Sequence, residues 1–421
     1  MYYGWIIVVI AALGLFFSGP GQTYSVSVFI NSYIEEFSWS RAYISSLYST
    51  ATLFAGLSLS FVGRLVDKKG HRRMMSIVSF LLAIACFWMA AVSAPWMLFI
   101  GFFLVRLLGQ GSMTLLSTTL VPQWFIEKRG KALSLTALGG VISSGLLPPL
   151  NTWIIQNYNW RAGWIFWGIA LIAVMFPIAV FLIRNKPEDL GLLPDNKKIA
   201  GLKSYNHHNL KDDQVVLEEQ KGVLETDWSL KEAMATKAFW LLLFCVTIPA
   251  ALNTGFTFHL ASIMEYRGFP SEGAAMLAAS ILSIYALVQF PSNMLAGVIA
   301  DKYKTHLLLA LIFIGFLIIN ITFLLTSNYL TAIFLGCIWG MVNGFFSIAN
   351  GIVWPSYFGR KNLGSIRGVA MTAMVIGSAF GPLPFGFAYD YFGGYREILL
   401  ISTIFPILGS IAAYLSPKPV K

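Results

Sequence analysis

Charged residues are scarce in this chain, and that scarcity excludes most classes of protein. Of its 421 residues only 11% are charged, whereas 57% are apolar, and the mean hydropathy is +0.70. Soluble globular domains carry roughly 25% charged residues. The composition therefore excludes both a soluble protein and a disordered one. The net charge of +10 does not indicate a nucleic-acid partner, because the basic residues are spread over many loops instead of forming one patch.

Cysteine is also rare, and several motifs of enzymes are missing. The three cysteines, Cys86, Cys245 and Cys337, each lie inside an apolar run without metal or redox spacing. The adjacent His207 and His208 lie in a polar segment, and we interpret them as solvated. There is no nucleophile elbow, HExxH motif or phosphate-binding glycine loop. We therefore expect no enzyme, no cofactor, no metal site and no use of ATP.

Long apolar stretches are what the sequence has in abundance. Twelve of them are long enough to span a bilayer, which takes about 20 residues each, and the alternation of a membrane β-barrel is absent. The first stretch has neither a basic leader nor a cleavage site, so we expect a retained helix. The fold class predicted is an all-α membrane protein with twelve transmembrane helices, at about 4–30, 42–62, 74–93, 96–122, 131–154, 161–183, 238–264, 273–297, 305–326, 329–354, 365–390 and 396–415.

The basic residues predict the orientation. Of the 29 Lys and Arg residues, all but five fall in the two ends and in the loops on the same side of the membrane as those ends. By the positive-inside rule both termini are cytoplasmic, and we expect a multi-pass protein of the cell (inner or plasma) membrane. The other five are Arg41, Arg161, Arg267 and Arg396 in the opposite loops, and Arg106 inside a span.

An internal repeat divides the chain into two six-span units. A polar segment separates them, so we predict six-helix bundles at 1–184 and 238–421, joined by a cytoplasmic linker at 185–237 with a short amphipathic helix around 228–234. GRLVDKKG at Gly63–Gly70 recurs as GVIADKYK at Gly297–Lys304, an offset of 234, and we match Arg129–Gly130 with Arg367–Gly368, an offset of 238. Repeats of this kind place a binding site at their interface near the bilayer midplane.

These motifs resemble a known family. GRLVDKKGHRR is similar to the signature loop of the major facilitator superfamily, and GVIADKYK to its second copy. SGPGQTYSVSVF, RNKPEDLGLLPD and GSAFGPLPFG resemble the branch that contains monocarboxylate transporters and oxalate:formate antiporters. The resemblance implies a monomeric secondary transporter that moves a small organic anion, such as a monocarboxylate, by alternating access of two rocking bundles.

The resemblance also implies a gate at the signature loop. Asp67 has many basic neighbours in the sequence, and we expect it to pair with cations when the cytoplasmic side is closed. A topology signal with incidental ion pairs is the alternative, and for Lys68 it is the favoured one. The predicted gating residues are Gly63, Asp67, Lys68, Gly70, Arg72, Arg129, Gly297, Asp301 and Arg367.

Arg106 is the ionisable residue deepest in a predicted span. Such a residue needs water, a partner or a ligand, and no Asp or Glu lies as deep, so an organic anion would fit it. Hydrogen bonds to helix carbonyls are the alternative. Arg106, Gln110 and Thr114 recur every four residues and would share one helix face. We expect no charged residue in the eighth or eleventh span. The predicted substrate-binding residues are Arg106, Gln22, Tyr24, Gln110, Asn253, Thr257, His259, Tyr285, Gln289, Asn343 and Asn350.

Two other functions remain open from the sequence. An exporter of drugs or neutral metabolites has the same fold, and the segment GSAFGPLPFG and the aromatic content of 15% agree with it. A membrane sensor that binds its ligand without moving it is the third interpretation. Binding of carboxylates against neutral compounds would separate the first two, and tracer accumulation would separate transport from sensing.

Overall fold

The structure is a computed structural model that describes residues 2–39, 41–196 and 226–420. In those ranges twelve helices are long and apolar enough to cross a membrane, which confirms the predicted fold class. We number them α1 to α12. They are Tyr3–Phe37, Arg41–Lys69, His71–Ala90, Pro95–Trp124, Arg129–Asn157, Trp160–Phe181, Lys237–Tyr266, Ser271–Ala300, Thr305–Leu325, Tyr329–Phe358, Leu363–Phe392 and Arg396–Tyr414.

Five of the described helices depart from regular α-helical geometry inside the membrane region; among them, α6 is π-helical at Leu171–Met175 and α12 is interrupted at Thr403. In α1 the segment Gly19–Gly21 forms a 3₁₀ turn around Pro20, and all three residues are buried. In α4 the segment Arg106–Met113 is π-helical. In α11 a new helical segment begins at Pro382, directly after Gly381, because proline offers no backbone N–H to the preceding turn. Irregular backbone is tolerated at membrane depth only where protein surrounds it, and that holds for Gly19–Gly21.

The internal sequence repeat is also seen in the starting residues of the helices. The first residues of α7, α9, α10 and α11 follow those of α1, α3, α4 and α5 by 234 positions. The sequence offset between the two signature loops therefore holds for most of each half. We call α1–α6 the first half and α7–α12 the second half.

Each half contains stacked aromatic rings and buried polar pairs of its own. In the first half Phe29 stacks on Trp164, with ring centroids 4.6 Å apart. Asn151 donates from Nδ2 to Ser25 Oγ at 2.9 Å, and its Oδ1 accepts from Trp167 Nε1 at 2.7 Å. In the second half the rings of Phe256 and Phe323 stack at 4.5 Å. Each half thus buries apolar rings together with polar groups that have partners, as protein interiors require.

The segments that flank the linker pack back onto the helices. Tyr2 Oη donates to Leu193 O at 3.2 Å, Trp228 N donates to Phe358 O at 3.0 Å, and Tyr357 Oη donates to Ser416 O at 2.7 Å. Both ends of the chain and both ends of the linker therefore lie on one side of the bundle, which we call the linker side. The opposite side is the far side. The short helix expected near 228–234 spans Leu230–Met234 and begins with a capping box at Ser229.

Close packing of α1 on α5 depends on one glycine of an adjacent pair. A Cβ atom added at Gly139 would lie 1.8 Å from Ala12 O, whereas one added at Gly140 would meet nothing within 4 Å. We predict that Gly139→Ala lowers the free energy of unfolding by about 1–3 kcal/mol through overpacking, and that Gly140→Ala raises it by up to about 1 kcal/mol, because alanine is the better helix former and has room there. Thermal unfolding of the two purified variants tests this, and equal midpoints would contradict it.

Candidate functional site

Asp67, at the end of α2, caps a helix of the other half. Its carboxylate accepts hydrogen bonds from Gly364 N at 2.7 Å, from Ser365 N at 2.6 Å and from the Ser365 hydroxyl. The first N–H groups of a helix have no partner within that helix, and a carboxylate placed there also interacts favourably with the helix dipole. Asp67 of the first half therefore completes the amino-terminal end of α11 in the second half.

Asp301, directly after α8, makes the same contact in the opposite direction. It accepts from Gly130 N at 2.6 Å and from Lys131 N at 3.1 Å, at the amino-terminal end of α5. Partial burial raises the pKa of the Asp301 carboxyl, and the two backbone N–H donors oppose that rise. The halves thus cap each other reciprocally on the linker side.

Glycines bring the helices close enough for this capping. A Cβ atom at Gly63 would lie 2.1 Å from Gly364 O, and one at Gly130 would lie 2.3 Å from Gly297 O. No side chain larger than hydrogen fits at these positions without moving a backbone. Gly63 and Gly297 are therefore equivalent not only in sequence but also in structure. Gly63 allows α2 to approach α11, and Gly297 allows α8 to approach α5.

These contacts correct one sequence match. Gly130 and Gly364 occupy equivalent positions, at the same offset of 234 as Asp67 and Asp301, because each donates its N–H to the capping aspartate. The match of Arg129–Gly130 with Arg367–Gly368 at an offset of 238 is therefore wrong. Leu363 is the equivalent of Arg129, and Leu133 is the equivalent of Arg367.

The basic residues around the signature loop have other partners than Asp67. Arg72 donates from Nε to Val180 O at 2.8 Å, within the first half, and Lys68 is exposed. Arg129 donates from Nη1 to Ser356 Oγ at 3.0 Å, across the halves. Gly70 adopts a φ of +79° beside Asn185, where a side chain would be strained. The sequence predicts that Asp67 pairs with cations. In the structure its carboxylate instead accepts hydrogen bonds from the N–H groups at the start of α11.

The two ends of the linker cap the matching loops of the halves. Asp195 accepts from the backbone N–H groups of 126–128, between α4 and α5, at 2.8 to 3.2 Å. Asp227 accepts from Arg360 N and Lys361 N, between α10 and α11, at 3.0 and 3.1 Å. Arg360 also forms an ion pair with Glu188 at 3.2 Å. The linker therefore makes polar contacts with loops of both halves on the linker side.

Between the halves lies a cavity of about 490 Å³, a size typical of pockets that enclose small molecules. Its walls come from α1, α4, α5, α7, α8, α10 and α11. Apolar side chains such as Phe346, Met371 and Met374 contribute to them. The polar lining side chains are Ser18, Gln22, Tyr24, Thr114, Thr118, Thr136, Ser144, Asn253, Gln289, Asn293, Asn343, Ser347, Asn350 and Arg367.

Arg367 is the charged residue of this cavity. It is 7% exposed and lies about one turn into α11, and its Nη1 donates to Thr118 O of α4 at 3.1 Å. The cavity lining, all within the described part of the chain, includes no carboxylate. The sequence predicts no charged residue in the eleventh span and groups Arg367 with the preceding loop. The structure corrects this, because α11 begins at Leu363, beside Asp67, and Arg367 lies inside the helix.

Six of the predicted binding residues do line the cavity, namely Gln22, Tyr24, Asn253, Gln289, Asn343 and Asn350. Neighbouring side chains fix several of them. Asn253 donates from Nδ2 to Asn343 Oδ1 at 2.6 Å and accepts from Trp339 Nε1 at 2.7 Å. Tyr24 Oη donates to Ser143 Oγ at 2.8 Å. These polar groups are therefore held in place before any ligand arrives.

Arg106 lies outside this lining. Its Nε donates to Thr52 Oγ1 at 3.0 Å, and its Nη1 lies 3.1 Å from both Gly21 O and Thr23 Oγ1. Its guanidinium also lies 5.0 Å from the centre of the Tyr48 ring. It thus ties together α1, α2 and α4, as the alternative interpretation of this residue expected.

The π-helical segment of α4 explains why the predicted polar face is not continuous. Arg106 and Gln110 lie within Arg106–Met113, where the helix winds with wider turns than an α-helix. The spacing of four residues therefore does not keep side chains on one face. Thr114 lines the cavity, whereas Gln110 packs beside the turn at Gly21.

Three further predicted residues also lie elsewhere. His259 is 3.2 Å from Tyr395 Oη through Nδ1 and 3.2 Å from Pro382 O through Nε2, at the break of α11. The Tyr285 ring packs on Trp339 with centroids 5.3 Å apart. Thr257 is exposed on α7, one turn beyond Asn253. The structure gives His259 and Tyr285 packing partners inside the second half.

The sequence predicts a gating role for Arg367 and leaves Asn293 out of the predicted binding residues, whereas both line the cavity. One signal could have found Arg367: the offset of 234, applied to Gly130, places the start of α11 near Leu363. Among the residues that the structure describes, no group of three or more His, Cys, Asp or Glu could hold a metal ion. His207 and His208 lie outside the described residues.

The arrangement defines a helical membrane protein of two related halves around a central polar cavity, and comparison with known proteins identifies its family. The Major Facilitator Superfamily matches residues 5–382 and 276–421. The chain belongs to this superfamily of membrane transporters, as its signature loops indicated.

Individual relatives are distant. The chain is 22% identical to the "Probable L-galactonate transporter" of Escherichia coli (strain K12), covering 92% of this chain and 83% of that protein. It is 24% identical to "Monocarboxylate transporter 9" of Mus musculus, covering 99% and 93%. The solved structure of the proton:xylose symporter XylE has a TM-score of 0.71 at 14% identity, covering 99% of this chain and 96% of that chain, and shares the fold.

The contacts of Arg106 predict a role in stability. In Arg106→Met the acceptors at Gly21 O and Thr52 lose a buried donor, so we predict a loss of about 1–3 kcal/mol in the free energy of unfolding. Arg396→Met, at an exposed position, is the matched control. Thermal unfolding of both variants tests this. An Arg106→Met protein as stable as the control would show that these hydrogen bonds do not hold α1, α2 and α4 together.

Proposed function

We propose that this protein is a monomeric secondary active transporter that moves a small organic anion across the cell membrane by alternating access. In this proposal the linker side faces the cytoplasm, the six-helix bundles of 1–184 and 238–421 are the rocking units, and the central cavity is the substrate site. The structure then represents the state that is closed to the cytoplasm.

The observation that carries the proposal is the uncompensated charge of Arg367. A buried guanidinium is costly unless a counter-charge or several acceptors surround it. The residues described around Arg367 offer one carbonyl, Thr118 O, and no carboxylate. Arginine presents five N–H donors in a planar fork that matches a carboxylate. An anionic substrate would supply what the cavity wall lacks.

The names of two relatives support the same class of substrate. L-Galactonate and monocarboxylates, for which these proteins are named, are both carboxylates. At 22% and 24% identity the relatives support the class of solute and not the individual compound. The charge of Arg367 agrees with that class.

We propose further that the reciprocal caps of Asp67 and Asp301 are the cytoplasmic gate. A helix cap contributes about 0.5–2 kcal/mol, and each carboxylate and N–H group can exchange its partner for water when the halves separate. The two caps together therefore favour the closed state by a few kcal/mol at most, the range in which a ligand can shift a conformational equilibrium. The neighbouring glycines Gly63 and Gly297 allow the approach, and Arg129 adds a bond across the halves.

Arg367 also connects the substrate site to this gate. Its hydrogen bond to Thr118 O joins α11 to α4, across the halves. An anion bound to the guanidinium competes with that carbonyl for its donors. Substrate binding would thus weaken one bond between the halves, next to the helix end that Asp67 caps.

Arg367→Gln tests the substrate class. We predict that at least one carboxylate in a panel of carboxylates and neutral solutes raises the unfolding temperature of the wild-type protein, as a ligand of the folded state must. Loss of the charge should weaken its binding by roughly tenfold or more, since removing one partner of a buried charge pair costs about 2 kcal/mol or more. Arg367→Lys should retain part of the effect, because lysine keeps the charge without the planar fork.

Arg396→Gln, at an exposed position, is the matched control and should behave as the wild type. A shift with neutral solutes alone would favour the exporter of neutral metabolites, and an unchanged carboxylate shift in Arg367→Gln would remove Arg367 from the site. Uptake of the stabilising carboxylate into proteoliposomes then separates transport from sensing.

Asp67→Ala tests the gate. We place a reporter cysteine at Thr118, in the cavity, in a protein whose three native cysteines are replaced by alanine. In inverted membrane vesicles a membrane-impermeant maleimide reaches this cysteine only from the linker side. We predict severalfold faster labelling in Asp67→Ala, because loss of a cap worth about 0.5–2 kcal/mol raises the population of the open state.

The control for the gate is Asp390→Ala, which removes an exposed carboxylate on the far side. Its labelling rate should equal that of the reporter protein alone. If Asp67→Ala also labels at that rate, the cap does not keep the linker side closed.

A further inference from the structure

The cavity offers more carboxamides than a simple carboxylate can use. Its lining holds one cation, Arg367, and the side chains Gln22, Asn253, Gln289, Asn293, Asn343 and Asn350. A carboxylate only accepts hydrogen bonds, whereas a carboxamide both donates and accepts. A hydroxyl group also does both, so a row of carboxamides is complementary to a ligand with several hydroxyls. One cation is complementary to a single negative charge.

The carboxamides are concentrated in one half. Gln22 is the member from the first half, and the other five come from α7, α8 and α10. At the offset of 234, Asn293 corresponds to Leu59 and Asn350 to Leu116, which are both buried, just as Arg367 corresponds to Leu133. The first half therefore folds with leucine at these places. The fold itself does not require polar groups there.

Asn293 brings an unpaired hydrogen-bond acceptor to the wall of the cavity. The side chain is 4% exposed, lines the cavity, and lies one turn from Gly297, where α8 meets α5. Its Oδ1 is buried without a hydrogen-bond partner in the described part of the protein. A buried acceptor without a donor is costly, and a carboxylate cannot satisfy it. A ligand hydroxyl can.

Other carboxamides are held ready for such a ligand. Trp339 Nε1 fixes Asn253 Oδ1, and Asn253 in turn donates to Asn343. Trp354 Nε1 donates to Asn350 Oδ1 at 3.0 Å. These indole contacts orient the amides without any ligand present, which lowers the entropy that binding must overcome.

We infer that the substrate is a hydroxylated monocarboxylate, with its carboxylate on Arg367 and its hydroxyl groups on the carboxamides of the second half. The inference rests on the proposed transport of an organic anion and narrows it. Arg367 supplies recognition of charge, and Asn293 selects for a hydroxyl donor.

Binding of pairs of carboxylic acids, with and without hydroxyl groups, to the purified full-length protein tests whether the substrate is hydroxylated. Each hydroxylated acid is paired with the acid of the same length and charge that lacks hydroxyls: glycerate with propionate, threonate with butyrate, and gluconate with hexanoate. Sorbitol serves as the uncharged polyol. Dissociation constants follow from the ligand dependence of thermal unfolding. We expect at least one hydroxylated acid to bind at least tenfold more tightly than its partner, with no binding of sorbitol.

Asn293→Leu introduces the residue type found at the equivalent position of the first half, Leu59. We expect it to narrow the ratio of the two dissociation constants by about tenfold, mainly by weakening the hydroxylated acid. If this variant is poorly folded, Asn293→Ala serves in its place. Asn157→Leu, at an exposed far-side position, should leave the ratio unchanged.

The outcomes separate this inference from the proposed function. If the acids without hydroxyls bind as tightly as their partners, or if the ratio survives in Asn293→Leu, the hydroxylated substrate is wrong while anion transport stands. If no hydroxylated acid of the series binds, the inference is likewise wrong. If sorbitol binds as tightly as gluconate, the anion proposal is wrong as well. If Arg367→Gln weakens neither acid, the placement of the carboxylate on Arg367 is wrong.

Discussion

The free N–H groups at the start of two helices set the organisation of this protein. The first N–H groups of α5 and α11 have no acceptor in their own helix, and each finds its acceptor in the other half, at Asp301 and Asp67. This exchange requires backbones close enough that Gly63 and Gly130 cannot carry a side chain. At these caps the halves therefore meet through polar groups that water can also satisfy. Such a contact is specific when closed and can open at little cost.

The same duplication produced a symmetric contact and an asymmetric cavity. Where the halves cap each other, equivalent positions hold the same residues, Asp67 with Asp301 and Gly130 with Gly364. In the cavity lining, equivalent positions hold different residues: Arg367 corresponds to Leu133, and Asn293 corresponds to Leu59. Similar contacts at the two caps allow either half to close on the other, whereas recognition of one small ligand requires polar groups on particular walls of the cavity. The departures from symmetry are for this reason a guide to the substrate site.

Much of the fold was predictable because it depends on local sequence. The twelve spans follow from runs of apolar residues, and Gly63, Asp67 and Asp301 stand out because the motif is repeated. The cavity was only partly predictable. Arg106 is held by α1 and α2, which its own helix does not reveal. The position of Arg367 depends on where α11 begins, at a cap that Asp67 of the other half provides.

A structure of the protein with a carboxylate substrate bound would test the central claim most directly. The account predicts that the carboxylate oxygens lie about 2.7–2.9 Å from the guanidinium nitrogens of Arg367, the distance of charge-assisted hydrogen bonds. It also predicts that the hydroxyl groups face α8 and α10. A carboxylate bound at Arg106, or in the cavity away from Arg367, would contradict the account.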